Sequence, residues 1–333
     1  MKKISLFLTM LFLGLPLQAQ KNGKLSFNAS GELKIVQFTD LHIELDRGRN
    51  LEVYETIPKI VAYEKPDLVV ITGDIVTEDN PQRSYSKLAE IFVKAGVPYA
   101  IVFGNHDSEH NLPRKEVAAF IEKLPGTLNK NDKRSEGYTN FVVPVFGRDG
   151  KKAALLYFMD SNAYSTLKPL IGGWGWFTHE QVGWYRERSR KFTAENNAVP
   201  YPALAFFHIP FPEYEDAWNN RVNPPVGEKR EDICSPLINT GMFAAMLESG
   251  DVMGTFVGHD HYNDYIGVHY GIALAYGRVT KTGDKPLDPG PGARVIVLKE
   301  GKRAFDTWIR EPSGNKVYEC QYPDSFSATE AKR

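Results

Sequence analysis

The chain is poor in cysteine: Cys234 and Cys320 are its only two in 333 residues. Thiols this far apart make neither a zinc–thiolate site nor a Cys-x-x-Cys redox motif. They form one disulfide closing a long loop or stay unpaired, and the sequence leaves both readings open. Net charge is also lacking. Forty Lys and Arg against 41 Asp and Glu leave −1, which gives no support for a general nucleic-acid or anionic-membrane binder. No Gly-x-Ser-x-Gly nucleophile elbow supports a metal-independent esterase. No internal repeat and no break in composition marks a linker. An anionic substrate therefore needs a local positive centre, and a metal site is one way to supply it.

Long apolar runs are missing except at the start. Lys2 and Lys3, an apolar run from Ile4 to Leu15, and Leu17-Gln18-Ala19 have the three-part layout of a secretory signal peptide. The run is well short of the roughly 20 residues a spanning helix needs, and Pro16 closes it. The expectation is cleavage after Ala19, a single domain over residues 20–320, and a flexible tail over 321–333. The mature protein is expected to be secreted or periplasmic, with no membrane span.

Short β-branched runs alternate with helical patterns, which argues a parallel α/β core. Strands are expected at Lys34–Thr39, Leu68–Thr72, Pro98–Phe103, Phe141–Val145, Ala153–Met159, Ala203–Phe207, Val252–Val257, Ile272–Tyr276, Arg294–Leu298 and Phe305–Ile309. Helices are expected at Leu51–Tyr63, Arg83–Ala95, Thr178–Arg190 and Leu237–Glu248. The second half, with shorter connections, reads as more antiparallel. Glu213–Asp232 and Thr280–Gly292, rich in Pro, Gly and charge, read as long loops.

Five of these strands end in metal-capable residues. Asp40-Leu41-His42 follows KIVQFT, Gly73-Asp74 follows LVVIT, and Gly104-Asn105-His106-Asp107 follows PYAIVF. His208 follows ALAFF, and Gly258-His259-Asp260-His261 follows VMGTFV. Ligands of α/β sheets bind beyond the carboxyl ends of strands, so five strands can deliver donors to one place. If the extended chain persists, Asp40 and His42 point to the same side, as do His259 and His261, with Leu41 and Asp260 turned away. Gly73, Gly104 and Gly258 sit where a sharp turn or close approach favours a residue without Cβ. Asp40, His42, Asp74, Asn105, His208, His259 and His261 supply enough oxygen and nitrogen donors for two cations sharing one carboxylate. Each segment alone has a bland reading, a turn or a surface histidine; five in this order do not.

In order, D-x-H, GD, GNHD, H and GHxH resemble the calcineurin-like metallophosphoesterases, the superfamily that includes purple acid phosphatases. The resemblance spans Lys34 to His261 and implies a four-layer α/β/β/α sandwich. It implies that Asp40, His42 and His261 hold one metal and Asn105, His208 and His259 the other, with Asp74 bridging. His106 would be the catalytic histidine, oriented by Asp107; its alternative is a packing role. Purple acid phosphatases owe their colour to a tyrosine three residues after the GD aspartate. Thr77 stands there in this chain, so "purple" is not implied. Two divalent or mixed-valence ions are expected, and Mn, Fe, Zn and Mg all suit oxygen and imidazole ligands.

Trp174 and Trp176 read as an aromatic loop that either stacks on a base, sugar or aryl group or packs onto the sandwich. Arg278 either meets a phosphate oxygen or is solvated, and His110 is placed near the mouth. The expected function is a secreted phosphoesterase acting on small-molecule phosphate esters through a metal-bound hydroxide. The alternative is a non-catalytic module on the same scaffold that binds a phosphorylated or glycan ligand.

Overall fold

The β-branched runs become the centres of two mixed six-stranded sheets. The computed structural model describes residues 24–109, 111–283 and 289–327; the expected signal segment and His110 lie outside these residues. The first sheet has the order β12-β11-β10-β1-β2-β3, with β1 at Glu32–Phe38, β2 at Leu68–Thr72, β3 at Tyr99–Val102, β10 at Ala293–Lys299, β11 at Phe305–Arg310 and β12 at Lys316–Tyr322. The second has the order β4-β5-β6-β7-β9-β8, with β4 at Phe141–Phe146, β5 at Lys152–Phe158, β6 at Ala203–Phe206, β7 at Val252–Val257, β8 at Ile266–His269 and β9 at Ile272–Tyr276. β1, β2 and β3 are parallel, with Val36 opposite Val69 and Ile71 opposite Ile101. β5, β6, β7 and β9 are parallel too. The antiparallel expectation for the second half therefore holds for the β4–β5 and β8–β9 pairs and for β10 to β12, and fails for β6 and β7, which carry the site.

Strand alternation splits the apolar side chains between three clusters. Ile35, Val70, Leu156, Phe206, Phe256 and Ile296 pack between the sheets. The opposite faces take helices: α1 (Val53–Glu64), α2 (Gln82–Ala95) and α3 (Arg114–Ile121) cover the first sheet, while α4 (His179–Glu195), α5 (Glu213–Trp218) and α6 (Met242–Ser249) cover the second. The result is an α/β/β/α sandwich. α4 starts at a capping box in which Thr178 Oγ1 accepts from Gln181 N at 3.2 Å and Gln181 Oε1 accepts from Thr178 N at 2.9 Å.

Several elements depart from expectation. α5 lies in the segment read as loop, α6 begins five residues after Leu237, and α3, β8 and β12 were not anticipated. The tail was expected to fray after Cys320, yet Tyr322 and Phe326 are buried in the inter-sheet cluster. Cys234 and Cys320 are not bonded to one another.

Glu64, at the end of α1, is buried and accepts from Trp308 Nε1 at 3.0 Å and Arg310 Nε at 2.5 Å, with Lys34 Nζ 3.3 Å away. Burial disfavours its charge, but the Trp308 and Arg310 bonds outweigh that and hold its pKa below the ordinary 4.5. The stability it contributes is thus fully present above the unfolded value and is lost as pH falls through the lower folded value. Glu64→Gln is expected to lower unfolding free energy by about 1–3 kcal/mol at pH 7. Urea titrations at pH 7 and at pH below 4 check it: the gap between variant and wild type should narrow at the acid end.

Candidate metal centre

All five motif segments reach one edge of the sandwich, where the carboxyl ends of β1, β2 and β3 meet those of β6 and β7. The chain is not extended there. Asp40, His42, Asp74 and His259 have φ of 54°, 45°, 50° and 79°, a left-handed conformation that costs an L-residue about 1–2 kcal/mol. Convergence thus comes from kinks after the strands and not from the strand alternation expected of Asp40/His42 and His259/His261. Backbone bonds hold the kinks: Asp40 N donates to Gly73 O at 3.1 Å and His42 N to Asp74 O at 2.9 Å. A Cβ on Gly104 would collide with Asp74, and one on Gly258 with Thr39 and Asp40. Only glycine lets these loops approach.

The donor atoms gather in two groups, Asp40, His42 and His261, and Asp74, His208 and His259, each with its atoms within 4.8 Å of one another. Both groups draw on both sheets. Asp74 Oδ2 faces both groups, 3.7 Å from His42 Nε2 and 3.2 Å from His208 Nε2. Asp40 Oδ1 lies 3.4 Å from His261 Nε2. Thr39 Oγ1 donates to Asp40 Oδ2 at 2.7 Å, and His106 N donates to Asp74 Oδ1 at 2.8 Å. His208 Nδ1 donates to Thr72 O at 2.7 Å; a carbonyl only accepts, so this bond turns Nε2 toward the carboxylates. Asn105 is fully buried in the same loop.

The electrostatics favour cations. Burial would raise Asp40, but its bond with His261 and the charge on His208 bring it to about 2. Burial acts the same way on Asp74, and His208 and His42 carry it well below the carboxylate range. Burial lowers His42 to about 4, and burial with the charge of His208 lowers His259 to about 3. Burial also opposes charge on His208, yet Asp74 beside it lifts the ring to about 9. Two carboxylates thus stay anionic beside the His42 and His259 rings kept neutral, while against burial they raise His208 and His261, a positive charge that a cation would replace. The Nε2 atoms of His208 and His259 are buried with no aligned hydrogen-bond partner. Orphaned ring nitrogens facing carboxylates fit two divalent ions.

A cleft of about 700 Å³ opens over this edge, lined by His42, Arg49, Thr77, His106, Glu109, His261 and Lys281. Thr77 occupies the place of the colour-giving tyrosine.

The chain matches the calcineurin-like phosphoesterase family model over residues 33–263. It belongs to that family. Probable inactive purple acid phosphatase 29 of Arabidopsis thaliana is 31% identical over 298 residues, covering 79% of this chain and 75% of that protein. Phosphatase DCR2 of Saccharomyces cerevisiae is 30% identical over 270 residues, covering 71% of this chain and 45% of that protein. A dimetal phosphatase from Danio rerio shares the fold, with a TM-score of 0.58, 14% identity, and coverage of 89% of this chain and 99% of its own.

Other expectations fall. Asp107 does not orient His106: its oxygens take Gly104 N, Ile75 N, Val76 N and Tyr85 OH, so it braces the loop. The partner of His106 Nδ1 is Glu109. Arg278 neither meets the cleft nor is solvated. It is buried in an ion pair with Asp264, with Nε 2.7 Å from Oδ2, because β9 delivers it between the sheets' ends. Trp174 lies beside the site, its ring edge-on to His259 at 4.4 Å between centroids. Trp176 lines a separate cavity of about 600 Å³ with Tyr138, Asn162 and Tyr164.

Sequence reasoning missed Arg114, which donates to Gly104 O at 2.8 Å while paired with Asp160 at 2.5 Å. Asp260 was expected to face away, into a hydrogen bond of its own, and it does: it accepts from Tyr276 OH at 2.6 Å. Arg278→Ala strands the Asp264 carboxylate and is expected to cost about 3–5 kcal/mol of stability, read from denaturant unfolding. A variant as stable as wild type but weaker in phosphate binding would restore Arg278 to the cleft.

Proposed function

We propose that this protein is a metal-dependent phosphoesterase acting on small-molecule phosphate esters. One observation carries the reading: two carboxylate–imidazole groups lie side by side next to His106, one with the Nε2 atoms of His208 and His259 lacking a hydrogen-bond partner and the other presenting His42 and His261 to an open cleft. Asp40, His42 and His261 would hold one cation and Asn105, His208 and His259 the other, with Asp74 between them. Divalent ions bound there supply positive charge for phosphoryl oxygens and lower the pKa of coordinated water. His106 is 35% exposed at the side chain and faces the cleft, within reach of an entering phosphate. Its ring centroid lies 5.3 Å from that of His42, so its task is to stabilise the transferring group or protonate the leaving oxygen. Trp174 is placed to contact the organic part of a substrate. Export to a periplasm or the cell exterior belongs to the same reading and rests on residues 1–19 alone.

A second reading, a ligand-binding module without turnover, draws support from the "inactive" in the name of the Arabidopsis relative. The filled ligand positions speak for turnover. Hydrolysis of p-nitrophenyl phosphate and of a bis ester, assayed with EDTA and after adding back Mn or Zn, separates the two. The expected result is activity lost on chelation and restored by metal, abolished in Asp74→Ala, and reduced about 10²- to 10⁴-fold in His106→Ala with metal content kept. The loaded protein is expected to be colourless, since Thr77 offers no phenolate. Metal binding without hydrolysis of either ester would favour the binding module.

A further inference from the structure

His106 needs a partner to present one ring nitrogen to the cleft, and Asp107 has none to offer. The ring's Nδ1 bonds Glu109 Oε2, one helical turn further on. The other carboxylate oxygen, Oε1, accepts from Tyr164 OH. Tyr164 is itself held by two neighbours of its ring: Lys168 Nζ lies 4.8 Å from the ring centroid, and the Trp174 ring packs at 5.6 Å. A lone exposed ion pair fixes little. This carboxylate instead takes a donor on each oxygen, so neither can turn without breaking a bond. A carboxylate only accepts, so Nδ1 must carry the proton, and Nε2 at the far end of the ring is left for the cleft.

We propose that Glu109 is the positioning residue for His106, and that Tyr164 holds Glu109 in place. The proposal rests on the phosphoesterase reading for its kinetic consequence but not for the pairing itself. Trp174 then serves the site through Tyr164 as well as through His259. The Glu109 side chain is 42% exposed, so its removal leaves the core intact.

The test uses the full chain with ¹⁵N-labelled histidine, with His106→Gln assigning the signal. Wild type is expected to show His106 protonated at Nδ1, and Glu109→Ala to lose that signature. In the metal-loaded enzyme, Glu109→Ala is expected to lower kcat for p-nitrophenyl phosphate about 10- to 100-fold while KM stays within about twofold and metal content is unchanged. Glu109→Gln, which keeps an acceptor oxygen, should recover part of the rate, and Tyr164→Phe should lose less than Glu109→Ala. A His106 signature unmoved by Glu109→Ala overturns the proposal, whatever the rate does. A wild type without metal-dependent hydrolysis sinks the phosphoesterase reading instead, and the nitrogen signature still decides the pairing.

Discussion

Two buried carboxylates set the terms for this edge of the molecule. Asp40 and Asp74 end neighbouring strands of one sheet, are almost fully shielded from water, and face imidazoles delivered by the other sheet. Anions in such a place are costly unless every oxygen has a partner. Thr39, the amides of His106 and His259, and the rings of His208 and His261 supply partners. The two sheets can close at this end only if these groups meet. The same requirement explains the left-handed backbone at four donor residues and the glycines at 104 and 258, where a side chain would displace a carboxylate. Strain of this kind persists where surrounding structure over-determines it, and it concentrates at functional sites.

The central strands and the donor residues were legible in the sequence because buried parallel strands read as continuous β-branched runs and the chemistry starts where each run stops. Ten strands were anticipated near their observed bounds. The two missed, β8 and β12, show why: Ile266–His269 has only two apolar residues, interrupted by Gly267 and His269, and Lys316–Tyr322 carries charge on its exposed positions. α5 hid in a segment whose composition reads as loop, and a helix of six residues is too short to stand without the packing of Tyr214 and Ala217. Local pattern does not encode how a chain bends after a strand, so the alternation argument brought the right residues together for the wrong geometric reason.

The surrounding residues were harder to read. Asp107 adjoins His106 in sequence, yet the tight turn sends its side chain inward to four donors, and Glu109 comes round to the imidazole. Arg278 follows a strand just as the donor residues do, but its partner Asp264 lies across the preceding hairpin, a pairing that spacing alone does not announce. Arg114 belongs to a helix that was not anticipated, and its contact with Gly104 O links Asp160 to the loop that carries Asn105 and His106. The site thus has a legible inner set of donors and a bracing layer visible only in three dimensions.

The account stands on cations at the junction of the two sheets. A crystal of the full chain grown with Mn, with anomalous scattering recorded at a wavelength that enhances the metal, addresses it directly. Two peaks are predicted, about 3.5–4 Å apart, one against Asp40, His42 and His261 and one against His208 and His259, with Asp74 touching both. An empty pocket, or manganese found only at other residues, would contradict the account.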